Sequence, residues 1–224
     1  MNKINTFVLI SFCFLAISCT KESNAPAKDL QSDFYPLKIN SVLVYDVDST
    51  AYSNFTNTST NYKFEIKDSI TNTFDDLAGG LNYRIERYKR LNVNSPWVFQ
   101  QVFTRSKTVR SGEEFINNQR FIRIIFPPLA GSFWNGNSKN TIGEQDYSIE
   151  NDIAASTINT LTFDSTIVVK EIDEQNLIRE DLVYATYAKK VGLVQKEVTA
   201  VDKNISSGKI TNGFKFTLKI KSIK

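Results

Sequence analysis

The chain has 224 residues, 41% of them hydrophobic, with 27 Lys and Arg against 24 Asp and Glu and a formal net charge of +3 at pH 7. That hydrophobic share supports a packed core and excludes a disordered chain, and the dispersed basic residues form no clustered face for nucleic acid. The complete lack of His removes His-based dyads and triads and the commonest metal ligand.

The first residues read as a leader. Asn2-Lys3 supplies a short positive start, and Phe7 to Ile17 is almost wholly apolar. That run is too short to span a bilayer and suits a signal-peptide core. Both cysteines, Cys13 and Cys19, lie here, so a mature chain starting at Cys19 has no disulfide. Ala16-Ile17-Ser18-Cys19 resembles the lipobox of bacterial lipoproteins, where small residues precede a Cys. The resemblance implies a signal peptide over residues 1–18 and cleavage between Ser18 and Cys19. It also implies a diacylglycerol thioether on Cys19 and an acylated new amino terminus of the palmitate kind. An ordinary signal peptide with an incidental Cys19 is the alternative. Two or three acyl chains anchor firmly, since each buried methylene contributes about 0.8 kcal/mol.

Thr20 stands where an Asp would retain a proteobacterial lipoprotein in the inner membrane, which points to the outer membrane. Lys21-Glu22 resembles the short surface-export signal of Bacteroidetes lipoproteins, and periplasmic and surface-facing leaflets both stay open. Residues 19–33 have no periodic apolar face and read as the lipidated Cys and a flexible tether. Such a coil spans on the order of 20 Å.

Residues 34–224 read as one β domain. The chain holds 16 Phe and 9 Tyr against one Met, a weighting that favours strands. Tyr62, Phe64 and Ile66 alternate with Lys63, Glu65 and Lys67. Leu81, Tyr83 and Ile85 alternate with Asn82, Arg84 and Glu86. Ile122, Ile124 and Phe126 form one side of a third run, and Phe214, Phe216, Leu218 and Ile220 alternate with Lys215, Thr217, Lys219 and Lys221. Each predicts a strand with one buried and one wet face. Asp181 to Lys190 is read as strand. Turn clusters fall between the runs: Asp75 to Gly80, Asn92 to Pro96, Asn117-Asn118, Asn135-Gly136-Asn137 and Ser206-Ser207-Gly208. The expected fold is all-β: a curved antiparallel sheet or partial barrel of about nine to eleven strands, meander-like. Its interior is either a solid core, the commoner case, or a cavity for an apolar ligand.

Four blocks together resemble a family of Bacteroidetes outer-membrane lipoproteins. They are Phe34-Tyr35-Pro36-Leu37-Lys38 with Val42 to Asp48; Phe126-Pro127-Pro128 with Gly131 and Trp134 to Asn137; Leu161 to Thr166; and Tyr187-Ala188 with Val191 to Val194 and Lys196-Glu197. The last strand, from Gly213, also fits. Val44, where relatives carry Trp, and Lys190, where they carry Gly, depart from the pattern. The resemblance implies an envelope location and an all-β fold, and it brings no activity.

Chemistry-bearing constellations are sparse. No metal and no cofactor are expected. Asp75-Asp76 and Asp46/Asp48 are the only calcium candidates, and neither has EF-hand spacing, so they read as solvated turn acids. Glu113-Glu114, Glu171/Asp173/Glu174 and Glu180-Asp181 read as wet turns rather than acid–base pairs. No Gly-x-Ser-x-Gly or phosphate loop is present, and no enzymatic activity is expected. Arg84, Arg87, Lys89 and Arg90, and also Arg105, Lys107 and Arg110, read as solvated sheet faces. Trp97 and Trp134 sit beside turns and read as core caps. Asp48-Ser49-Thr50, Asp68-Ser69-Ile70 and Asp164-Ser165-Thr166 resemble the Bacteroidetes O-glycosylation signature, which implies glycans on Ser49, Ser69 and Ser165. The functional expectation is a non-catalytic envelope binding module for an apolar or glycan ligand, with Tyr62, Phe64, Phe214 and Phe216 facing it. A protein-binding accessory role is the alternative, and a carboxylate hydrolase is the remote one. Expected partners are the membrane through the lipid, and an envelope lipid, glycan or protein; nucleic acid is not expected.

Overall fold

Turn chemistry sets where the chain reverses. Asn117 and Asn118 both take positive φ, 52° and 60°, the left-handed geometry that a two-residue hairpin needs and Asn tolerates. The structure is a computed structural model that describes residues 29–77 and 79–224. The leader, Cys19 and most of the tether lie outside the described residues. The strands are β1 (Val42–Ser53), β2 (Thr58–Asp75), β3 (Leu81–Arg90), β4 (Val98–Lys107), β5 (Ser111–Ile116), β6 (Gln119–Ile125), β7 (Phe133–Asn135), β8 (Asp146–Ile149), β9 (Ala154–Ile158), β10 (Leu161–Gln175), β11 (Arg179–Ala188), β12 (Gly192–Lys203) and β13 (Ile210–Ile223).

They form one sheet in the order β6-β5-β4-β3-β2-β1-β13-β12-β11-β10-β8-β7, with β9 paired to β10. The all-β, meander-like expectation holds. The count is thirteen rather than nine to eleven. The difference lies in short segments: β7, β8 and β9 have three, four and five residues, too few to show alternation. The first and last strands pair, with reciprocal backbone bonds between Val42 and Lys224 at 2.8 and 2.9 Å.

The sheet curls until its two ends meet, a nearly closed barrel. Ile122 N of β6 donates to Gly136 O just past β7 at 2.9 Å, and Trp134 Nε1 donates to Ile122 O at 2.8 Å. Trp134 is therefore a seam residue. Trp134→Phe is expected to lose about 1 kcal/mol in urea unfolding, the net worth of one such bond. A loss within 0.3 kcal/mol, roughly the scatter of a surface change, would show that the seam does not depend on it.

Three apolar clusters fill the interior. Phe34, Ile124, Tyr147, Ile149 and Ile167 belong to the first, with Leu30 packed on it. Tyr45, Val47, Ile66, Leu218 and Ile220 belong to the second, joined by Ile158 and Phe163 of the β9–β10 hairpin. Ile70, Ile85 and Phe103 make the third. The segment before β1 is docked, with a 3₁₀ turn over Ser32–Phe34 and Asp33 O accepting from Lys190 N at 2.7 Å. Tyr35 Oη donates to Glu113 O at 3.0 Å. The ring sits where a Cβ on Gly112 would be, 2.6 Å from its Cγ, which is why that strand position is Gly.

Candidate functional site

Residues i and i+2 of a strand share a face. Asp68 falls between Ile66 and Ile70 on β2, and Arg87 follows Ile85 on β3. Arg105 follows Phe103 on β4, and Lys196 lies between Val194 and Val198 on β12. Each charge therefore sits in an apolar row and points inward with it. The buried faces thus carry charges as well as apolar side chains. This corrects the solvated reading of Arg87 and Arg105.

Register then pairs them. Asp68 lies opposite Arg87, and Arg87 Nε and Nη2 each donate to the Asp68 carboxylate at 2.7 Å. Arg105 lies opposite Glu114, and its Nε donates to Glu114 Oε2 at 3.1 Å. The other Glu114 oxygen accepts from Arg123 Nε and Nη2 at 3.1 and 3.0 Å. Arg123 Nη1 donates to Glu171 Oε2 at 3.0 Å and to Tyr147 Oη at 3.2 Å. Lys196 Nζ donates to both Glu171 oxygens at 2.9 Å. An alternating chain, Arg105–Glu114–Arg123–Glu171–Lys196, thus links β4, β5 and β6 to β10 and β12 across the interior.

Two of its members owe their direction to β-bulges. Gly112 pairs with Ile124 and Glu113 with Ile122, leaving Arg123 as the extra residue of β6. Lys170 pairs with Tyr184 and Ile172 with Val183, leaving Glu171 as the extra residue of β10. A bulge re-aims the residue it frees, and here both are aimed at each other.

Burial opposes charge at every member, and the partners decide the outcome. Burial pushes the Glu114 carboxyl up, but Arg123 and Arg105 overcome it and hold it at about 2. Burial likewise opposes ionisation of Glu171, yet Lys196 and Arg123 pull it below the usual carboxylate range. At Lys196 burial prevails over the attraction of Glu171, and the ammonium titrates below its ordinary value.

Beside this chain lies a cavity of about 480 Å³, within the size of natural ligand pockets. Its lining includes the apolar Ile70, Ile85, Leu193, Val198, Phe216 and Leu218 and, interleaved with them, Asp68, Arg87, Arg105, Glu114, Arg123 and Lys196. Packed clusters and a cavity thus coexist, where a solid core was the commoner expectation.

Of the four aromatics expected to face a ligand, only Phe216 lines this cavity. Phe64 lines a shallower groove, with Lys89 Nζ 3.9 Å from its ring centre. Tyr62 and Phe214 are 52% and 43% exposed. All four share one side of the β1–β2–β13 region, since Ser49 lies opposite Tyr62 and Phe216, and Ala51 opposite Phe214. Their burial fades towards the strand ends, beyond the packed clusters.

The other singled-out residues are spread apart. Ser49, Ser69 and Ser165 all lie half-buried within strands. Asp68, next to Ser69, is paired with Arg87. Asp48 faces Lys63 and Asn61, and Asp46 faces Lys221. Asp76 accepts from Gly80 N and Asn82, and Asp75 ends β2. Glu113, Glu114 and Glu171 are buried strand residues, not wet turns; Glu113 is held by Lys139 and Arg120. Glu180 pairs with Lys203 and Asp181 with Arg179. Arg84 pairs with Glu86 and Arg90 with Glu65. Trp97 stacks under Arg90 and Lys67, at 4.3 and 5.0 Å, and caps nothing in the core.

No known family model and no curated protein matches the chain. Among solved structures it is similar to a protein of Parabacteroides distasonis provisionally named a lipoprotein, at 12% identity and a TM-score of 0.43, covering 85% of this chain and 98% of the other. It is also similar to a provisionally named exported protein of YmcC-like fold from Bacteroides fragilis, at 9% identity, the same TM-score and the same coverage. At that score and identity neither likeness transfers a role to this chain.

Proposed function

We propose that this chain is an envelope lipoprotein, tethered to the outer membrane through Cys19, whose barrel is a non-catalytic binding module for an apolar ligand. The observation that carries the binding reading is the cavity of about 480 Å³. Its lining sets a few fixed charges among apolar side chains, the pattern by which natural sites pair burial with orientation. The anchoring reading rests on the apolar run ending at Ser18-Cys19. A glycan would need exposed aromatic platforms beside the cavity, and Phe216 alone among the expected four reaches it.

A hydrolase finds less support. Glu114 and Asp68 both line the cavity, but each is gripped by a guanidinium. Glu114 is held near 2, so it carries no proton to donate at neutral pH.

The test is native mass spectrometry of the full chain, purified in detergent from a bacterial envelope without added ligand, against its denatured mass. A covalent lipid remains in both, and a cavity ligand is lost on denaturation. The expected result is a native-only increment from a small apolar molecule. Identical native and denatured masses, with no uptake of added alkyl-chain compounds, would overturn the binding reading. A denatured mass without acyl chains in an envelope sample would overturn the anchor.

A further inference from the structure

The inner ion chain does not balance. Arg105, Arg123 and Lys196 face only Glu114 and Glu171, three cations to two carboxylates, and Arg87 is neutralised by Asp68 alone. Lys38, Lys190 and Lys224 also line the cavity, whereas among the described residues Asp68 and Glu114 are the carboxylate side chains that do. A surplus cation in a low-dielectric interior is costly unless an anion meets it, and Arg cannot shed its proton.

Two donors are left over beside the surplus. Arg105 commits Nε and Nη2 to Glu114, and its Nη1 has no protein acceptor among the described residues. Tyr187 is 4% exposed and lines the cavity, and its hydroxyl likewise has no hydrogen-bond partner among the described residues. Neither atom is among the sealed side-chain atoms without a partner, which among the described residues are Gln31 Oε1 and Asp33 Oδ1; both open onto the cavity, where a ligand oxygen would satisfy them. Leu193, Val198 and Phe216 line the same cavity and supply apolar surface on either side of Lys196.

We propose that the ligand is a single-chain amphiphile whose carboxylate lies inside the barrel, accepting from Arg105 and Tyr187, with its alkyl chain against Leu193, Val198 and Phe216. This rests on the binding reading above and names its ligand class. Within the ion chain itself the surplus is one charge, which a carboxylate cancels. The free edge of a guanidinium suits a carboxylate oxygen as a charge-assisted acceptor.

The test uses the full chain in phosphatidylcholine nanodiscs with hexadecanoate carrying carbon-13 at the carboxyl, and in parallel hexadecan-1-ol labelled at C1. The expected result is a protein-bound carboxyl resonance, distinct from the bilayer pool, which keeps its ionised shift as pH falls while the bilayer pool protonates. Arg105→Gln, checked for folding by near-UV circular dichroism, is expected to lower bound hexadecanoate about tenfold or more, the worth of a charged hydrogen bond. If that variant does not fold, Tyr187→Phe is read instead, with a severalfold loss expected. Bound alcohol without bound acid would overturn the carboxylate and leave the apolar cavity standing. Binding of neither would overturn both readings. Undiminished acid binding in the variant that is read would overturn the placement.

Discussion

Replacing Arg123 by Met is expected to cost about 3–5 kcal/mol of stability, the usual penalty for removing one partner of a buried ion pair. Arg123 makes two bonds to Glu114, one to Glu171 and one to Tyr147. It is the member that ties the β5–β6 wall to β10 and β8. Without it Glu114 retains only Arg105, Glu171 retains only Lys196, and the Tyr147 hydroxyl loses its donor. Urea unfolding measures the loss. Arg84→Met is the control, because the Arg84 side chain is 42% exposed and its pair with Glu86 lies at the surface, where such pairs contribute about 0–1 kcal/mol. Equal effects of the two changes would mean that the inner chain contributes no more than a surface pair.

The same network sets the acid limit. Glu114, Glu171 and Glu113 all titrate below the ordinary carboxylate value in the folded chain. The stability they contribute is therefore present above the unfolded value, about 4.3. It is lost as pH falls through the folded values, which for Glu114 means down to about 2. The urea midpoint is expected to stay flat from pH 7 to 5 and to fall steeply between 4.5 and 2. In Arg123→Met the fall should be shallower, because Glu114 loses its foremost cation. A midpoint that rises on acidification would reverse the sign and refute the account.

Gly213→Ala should be among the most damaging single-methyl changes in the chain, at about 3–5 kcal/mol from a buried clash and a strained φ together. Gly213 has φ +103°, and a Cβ there would lie 2.1 Å from Ala200 O and 2.9 Å from Val201 Cα. Backbone of the neighbouring strand β12 cannot give way as a side-chain tip can. Gly131→Ala separates the two causes. Its φ is +76°, but nothing lies within 4 Å of the added carbon, so about 1–2 kcal/mol is expected from conformation alone. A Gly213→Ala loss no larger than the Gly131→Ala loss would show that β12 and β13 separate freely at this point.

Much of this architecture is written locally. Period-two alternation marks β2, β3 and β13, because each has one buried and one wet face where it crosses the core. The Asn117-Asn118 turn is legible because two adjacent positive-φ residues admit few side chains. Even the charges of the inner wall leave a trace. Asp68 stands between Ile66 and Ile70, and Lys196 between Val194 and Val198, each breaking an apolar row. A charge on the buried parity of a strand signals an interior partner, here Arg87 for Asp68 and Glu171 for Lys196, whereas the Arg84 to Arg90 run reads as one basic face until parity divides it. The aromatic row of Tyr62, Phe64, Phe214 and Phe216 is correctly one-sided, but alternation carries no information on where along a strand the core ends.

The sequence by itself determines the strand faces, the turns, the all-β class and the expectation of a lipidated leader, because each depends on residues a few positions apart. Closure of the sheet, and with it the site, is decided only in three dimensions. Arg123 and Glu171 are 48 residues apart, and both leave their strands' normal alternation at bulges that local pattern does not announce. The charge imbalance and the cavity beside it are sums over opposing walls, and such a sum exists only after the walls face each other.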